Sequence, residues 1–257
     1  MSSINFIYQR RRHKQAEFHA LPNADFATFN SDILGLGNIS HAGSYKEALA
    51  AVFDLQDFTS FCNQIDPHLV VPEFLSGFLA WLFKQVASQF TKVKKQNAVL
   101  LWSPLPFYAK FIGDGVLFLW STEGVQPITL GSIIISLNNI VRAYSQDFLP
   151  VISKSVTKTP QRLRCGIARG QIISVGEGRD FVGACINVAV RIQKLAPFTF
   201  AFSKRGFDIE RHFVEKNRAF YSLVKTAIRG IGEGELVFVQ KTELQGLPKD
   251  EQAKWVP

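Results

Sequence analysis

Along the 257-residue chain, short continuous apolar runs alternate with longer stretches in which apolar residues recur every three or four positions. The run ALAAVFDL after Glu47 has strand length and ends in acids and Thr59, so it predicts a fully buried strand. PEFLSGFLAWLFKQVASQFTKVKK carries the helical recurrence and predicts an amphipathic helix over 72–95. AVLLWSPLPFYAKFIGDGVLFLW predicts two strands around Gly113-Asp114-Gly115, because Asp-Gly between β-formers tolerates the positive φ of a tight hairpin. A second long helix is expected over 128–148. LRCGIARGQIISVGEGRDFVGACINVAVRIQKLA then predicts a strand, a glycine-punctuated hairpin and a helix from near Gly183 to Leu195. FYSLVKTAIRGIGEGELVFVQ predicts two strands around a glycine-rich turn. The order β-α-β-β-α-β, with extra C-terminal strands, is an α+β ferredoxin-like arrangement: an antiparallel sheet with helices on one face.

The segment before this pattern is different. Residues 1–45 read as an arm, with a helical stretch over 6–18 followed by Pro22, Asn23 and the glycine-rich LGLGNISHAGS. The expected organisation is therefore an arm over 1–45, a catalytic-type domain over 46–242 and a tail over 243–257. Composition narrows the partners. The net charge of +8 favours an anionic ligand. Much of that charge sits in Arg10, Arg11, Arg12, His13 and Lys14 and in Lys92, Lys94 and Lys95. No aromatic-basic interleaving or helix-turn-helix pattern accompanies these runs, so nucleic acid is not the expected partner. The run 128–141 is interrupted by Gly131, Ser132, Ser136, Asn138 and Asn139, and the basic cluster follows a short apolar patch, the reverse of a signal peptide. No membrane partner and a cytoplasmic location are expected. Cys62, Cys165 and Cys185 are odd in number and lack C-x-x-C spacing, so they read as small core residues.

Two acids stand where a buried sheet should be apolar. Asp54 ends its strand, and Asp114 lies on the hairpin turn. In a ferredoxin-like sheet these elements are neighbours, so both carboxylates project from one edge. Close carboxylates repel unless a proton or cation lies between them. On residues alone, two readings stay open: paired turn residues, or ligands of divalent metal serving phosphoryl-type transfer.

VFDLQDFT resembles the F-x-D-x-x-G-F-T opening of class III nucleotidyl cyclases. KFIGDG resembles their K-x-x-G-D-G hairpin, and RCGIARGQIISVGEGRDFVGACINVAVRI their G-I-x-x-G … D-x-x-G-x-x-V-N-x-A-x-R segment. The resemblance runs over about 50–240 with the motifs in family order. It implies that Asp54, Asp114 and the Leu55 carbonyl hold two Mg²⁺ or Mn²⁺ ions. Lys110 and Asp180 would read the base, Phe58 and Thr59 would contact substrate, and Arg229, where the family usually has lysine, would meet the triphosphate. Asn187 and Arg191, four apart on one helical face, would orient the ribose and stabilise charge at the α-phosphate. Taken singly, Lys110 and Asp180 also read as strand charges, Asn187 and Arg191 as a helix-surface pair, and Arg229 as a hairpin charge. The family's sites form between subunits, so a head-to-tail homodimer with nucleoside triphosphate as substrate is implied.

For the base, Lys110 with Asp180 is the adenylate-cyclase combination, and the guanine pair is absent. Against this stand Asp57 for the usual glycine, Val182 where an aromatic is frequent, and Ala184-Cys185 for a polar pair. The bare domain with a basic arm resembles the small stand-alone pyrimidine cyclases of bacterial Pycsar antiphage systems. That resemblance implies cyclic UMP, then cyclic CMP, as product, read by a downstream effector protein. An adenylate cyclase making cyclic AMP is the alternative, and a catalytically silent nucleotide-binding regulator is the alternative of another class.

Overall fold

A computed structural model describes residues 6–13 and 16–257. The expectations for residues 1–5 and for Lys14 in the basic cluster lie outside the described residues. Along the chain come β1 (Gln9–His13), β2 (Ala16–Ala20), α1 (Asn23–Ala27), β3 (Tyr45–Leu55), α2 (Phe58–Cys62) and α3 (Pro67–Phe90). They are followed by β4 (Thr91–Lys94), β5 (Val99–Leu101), β6 (Tyr108–Phe111), β7 (Gly115–Ser121) and α4 (Pro127–Ala143). A π turn at Tyr144–Phe148 leads into α5 (Leu149–Ile152). The remainder is β8 (Leu163–Val175), β9 (Asp180–Val182), α6 (Ala184–Ile192), β10 (Phe200–Ser203), α7 (Ile209–His212), α8 (Glu215–Arg218), β11 (Tyr221–Ile228), β12 (Gly232–Gln240), α9 (Lys241–Gln245) and α10 (Lys249–Ala253).

The chain forms two compact units, residues 1–45 with 173–182, and residues 46–172 with 183–257. In the first, the segment expected to be helical over 6–18 is instead the β1–β2 hairpin, with Arg11 opposite Phe18. Its basic run offers no apolar stripe for a helix to bury, and a short helix without tertiary packing is marginal. Ser44 joins the β8–β9 hairpin of the same unit: its N–H donates to Ser174 Oγ at 2.8 Å, and its carbonyl accepts from Ser174 N–H at 3.0 Å.

In the second unit the sheet order is β11-β12-β10-β8-β3-β7-β6. The segment β3-α3-β6-β7-α4-β8, with strands ordered β8-β3-β7-β6, is the ferredoxin-like core expected from the sequence. Two features depart from the expectation. β10 runs parallel to β8, Phe200 opposite Cys165, because α6 supplies the crossover that a parallel pair requires. Helices also cover both faces. Leu49, Ala51, Phe53 and Leu55 alternate along β3 into the aromatic core with α3 and α4. Ala48, Ala50, Val52 and Asp54, equally buried, face the other side.

α6 occupies that second side. A Cβ on Gly166 of β8 would lie 2.3 Å from the carbonyl oxygen of Ala189 and 2.4 Å from the amide of Gln193, so only glycine lets the helix lie backbone to backbone on the strand. Cys185, Val188, Ala189 and Ile192 form its buried stripe. This close seat positions the two polar residues on its outer face.

α3 starts and stops five residues before the expected 72–95 (67 against 72, 90 against 95). Pro67 takes the first-turn position that proline favours, Pro72 falls inside the helix, and Thr91 turns extended to enter the β4–β5 hairpin. α3 has the length and apolarity to cross a membrane, yet Phe74, Phe78, Leu82, Val86 and Phe90, four apart, point into the core. At the C-terminus, α9 and α10 lead to Trp255, whose carbonyl accepts from Lys225 N–H and whose ring meets Phe198 edge-on at 4.8 Å.

Gly166→Ala should cost about 1–3 kcal/mol, the usual range for overpacking a tight contact. Urea unfolding of the variant checks this, and unchanged stability would mean that α6 is free to lift from β8.

Candidate active site

β3 and β7 pair antiparallel with Asp54 opposite Gly115, so the strand end that carries Asp54 meets the turn that carries Asp114. The hairpin closes with Ile112 N–H on the Gly115 carbonyl at 2.9 Å. Its left-handed residue is Gly113, at φ +83°. The turn therefore centres on Gly113-Asp114, the glycine-first pattern of a type II′ hairpin rather than an Asp-Gly pattern, and it leaves Asp114 half-buried at the tip.

Asp54 is 6% exposed. β8 brings Arg164 beside it: Gln56 N–H bonds the Arg162 carbonyl at 3.0 Å, and Arg164 Nη2 donates to Asp54 Oδ2 at 2.5 Å. Burial pushes the Asp54 carboxyl above its ordinary 3.8, against the pull of the Arg164 hydrogen bond, and the charge of Asp114 pushes it further up. Arg164 and Lys194 supply the opposing positive charge. Neither cation was singled out in the sequence. The signal for Arg164 was there: Leu163, Cys165 and Ile167 alternate into the core, which turns Arg164 and Gly166 toward the face of Asp54.

Between β3 and α2 the chain passes through Asp57 at φ +63°. Glycine costs nothing there, and aspartate is among the few other residues that tolerate the left-handed region. The departure at Asp57 thus keeps the backbone path. Phe58 packs on Phe61 at 5.6 Å, Thr59 is exposed, and the Leu55 side chain is in the core. Cys62, half-buried on α2, has its thiol raised by burial and by the charge of Asp114. Cys165 and Cys185 are buried core residues, the latter pushed up to about 11 by burial.

Asn187 and Arg191 lie on the exposed face of α6. A Cβ on Gly230 would sit 2.6 Å from Arg191 Nη1, which places the guanidinium against the turn that carries the exposed Arg229. Asn187, Arg191 and Arg229 therefore gather in one region. Asp54 and Asp114 belong to another. Three strand spacings separate β3 from β12, about 14 Å. Val239 lies opposite Ala201 near the Asp54 end, and β12 begins seven residues earlier (239 − 232), so the Arg229 turn leaves the sheet at its other end.

Lys110 sits on β6 opposite Leu117, half-buried, one strand outside β7. Asp180, on β9 of the other unit, accepts from its neighbour's N–H, Phe181, at 2.8 Å. Val182 is exposed beyond it.

Among the described residues no group of three His, Cys, Asp or Glu side chains converges. The carboxylates of Asp54 and Asp114 with a strand-end carbonyl nevertheless suit Mg²⁺, which is commonly bound through one or two carboxylates together with substrate phosphates.

No protein-family model matches the sequence, and no curated protein matches it. Solved structures do. The guanylyl cyclase Cya2 aligns with a TM-score of 0.56 at 16% identity, over 78% of this chain and 94% of that one. The adenylyl cyclase CyaB from P. aeruginosa aligns at 0.54 and 13%, over 78% and 96%. The catalytic core of a rhodopsin-guanylyl cyclase with converted specificity, in complex with ATPαS, aligns at 0.52 and 15%, over 77% and 98%.

Because burial raises Asp54, the folded state holds this proton more tightly than the unfolded chain. Its contribution is fully present below about pH 3.8 and is lost as pH rises through the folded-state value. Asp54→Asn, which cannot ionise, should lose less stability than the wild type over that rise. Unfolding free energies measured across the acid range check this, and parallel pH profiles would contradict it. In its strand order and in the helices that flank it, the chain has the fold of adenylyl and guanylyl cyclase domains.

Proposed function

We propose that the chain is a nucleotide cyclase, a phosphorus-oxygen lyase that converts a nucleoside triphosphate into a 3′,5′-cyclic nucleotide and pyrophosphate. The observation that carries this reading is the meeting of two carboxylates, one of them buried, at the β3–β7 strand end on a cyclase fold. A buried acid facing a second acid is costly unless a cation is shared. Divalent ions, Mg²⁺ or Mn²⁺, held by Asp54, Asp114 and the Leu55 carbonyl, would acidify the ribose 3′-hydroxyl and neutralise the leaving pyrophosphate.

The chain's own residues have distinct tasks. Arg164 holds Asp54 in place. Phe58 and Thr59 border the triphosphate, and Arg229 grips it with a forked charge that lysine lacks. Asn187 orients the ribose, so that the 3′-oxygen attacks the α-phosphorus as the bond to the bridging oxygen of the β-phosphate breaks. Arg191 stabilises the charge that grows on the α-phosphoryl oxygens. The hydroxyl proton leaves to solvent, and no protein nucleophile takes part. Since the Asp54–Asp114 and Asn187–Arg191–Arg229 clusters lie apart in one chain, a complete site would need two copies arranged head to tail.

For the base, Lys110 and Asp180 would read its edge. We favour a pyrimidine, uracil before cytosine, on the resemblance to the small pyrimidine cyclases. In that reading the enzyme is cytoplasmic and signals in antiphage defence through an effector that binds the product. Adenine is the second reading, favoured by the residue types of Lys110 and Asp180. Loss of turnover without loss of nucleotide binding would instead mark a regulator.

The test is incubation of the protein with ATP, GTP, CTP and UTP, each with Mn²⁺ or Mg²⁺, and product identification by mass spectrometry. Cyclic UMP is expected. Cyclic AMP would overturn the base assignment, and no cyclic product would overturn the enzyme. Asp114→Ala, at a half-buried turn tip, should keep the fold by circular dichroism and abolish turnover.

A further inference from the structure

On the α4 side of the second unit, away from both clusters, a cavity of about 410 Å³ opens between α4, β11 and α9. Its volume is in the range of small-molecule sites. Asn138 and Tyr221 are among its lining residues, and both are more than nine-tenths buried. Asn138 and Ser136 are the polar members of a buried α4 stripe that also holds Leu130, Gly131, Ile133, Ile134, Leu137, Ile140 and Val141. Asn138 Nδ2 leans on the Tyr221 hydroxyl at 3.4 Å, a long contact, and its Oδ1 has no partner among the described residues. A buried amide oxygen left unpaired is a standing demand for a donor.

The rest of the lining is specific in charge and shape. Arg142 and Lys241 both line the cavity, and no acid does. Neither cation is in an ion pair among the described residues. The nearest carboxylate on α9, Glu243, borders a neighbouring cavity that shares Arg142, and it is already engaged by the Thr199 N–H and hydroxyl. Phe220 also lines the cavity and is 60% exposed. An exposed apolar ring, a buried amide and two cations outside any ion pair, all in one lining, match a ligand with a planar hydrogen-bonding head and a phosphate.

We infer that this cavity is a second, non-catalytic site for a nucleoside monophosphate. Its phosphate would lie toward Arg142 and Lys241, its ring against Phe220, and its base edge toward Asn138. Occupancy would tie α4 to β11, the strand that leads into the Arg229 turn, so the site is placed to influence the catalytic residues without touching substrate.

The test is calorimetric titration of UMP, uridine and inorganic phosphate into the full chain in a metal-free buffer, where no turnover occurs. UMP should bind saturably, and more tightly than either part. The double variant Arg142→Glu/Lys241→Glu should weaken UMP by at least about tenfold, the loss of one charge-assisted contact or more. Both positions lie on the surface, and melting temperatures check that the variant is folded. Arg191→Ala should leave this binding unchanged. Absence of saturable UMP binding, equal binding of phosphate alone, full affinity in the double variant or loss in Arg191→Ala would each overturn the assignment. A failed cyclase assay would not, because the binding readout is independent of turnover.

Discussion

A carboxylate buried at the end of a central strand constrains everything around it. Asp54 is almost out of solvent, and a charge in that position must be neutralised by a proton or by partners. Arg164 on the adjacent strand supplies one partner at 2.5 Å. That interaction fixes one Asp54 oxygen, while the charge of Asp114 acts on the same carboxyl. Replacing the pair with apolar residues would satisfy the sheet equally well, since buried ion pairs are seldom a net source of stability.

The two faces of the sheet divide the work. One face is an aromatic core in which Phe53, Phe118, Phe74, Phe78 and Tyr144 pack together. The other face buries small residues, Ala48, Ala50 and Gly166, so that α6 can lie close. Close seating gives Asn187 and Arg191 a rigid base, and the Gly230 turn meets the Arg191 guanidinium from the side. The Asp54 strand and the strand that follows the Arg229 turn are three spacings apart in the sheet, about 14 Å.

Much of this was legible in the sequence, and the failures have physical causes. The buried strand, the Gly113-Asp114 hairpin, α4, and the strand-hairpin-helix segment ending in α6 all carry long, local patterns. β10 was missed because four residues, FAFS, hold too little periodicity, and with it went the parallel pair and the second helical layer. The β1–β2 hairpin was taken for a helix because a polar run specifies neither period. Asp54 and Asp114 stand out as acids where a buried sheet should be apolar, and Asn187 and Arg191 through the order of the motifs. Arg164 did not, since its meaning depends on a cross-strand partner 110 residues away, which only strand pairing reveals.

We propose that the Asp54–Asp114 and Asn187–Arg191 clusters act together across a pair of chains. The most direct measurement mixes two inactive variants, Asp114→Ala and Asn187→Ala, and follows cyclic-nucleotide formation against mixing ratio. If sites form between subunits, the mixed dimer holds one intact site and activity returns, up to about a quarter of wild type at equal amounts, since half the dimers are mixed and each has one site of two. Activity that stays at the level of the separate variants, in a mixture shown to exchange subunits, would contradict the account.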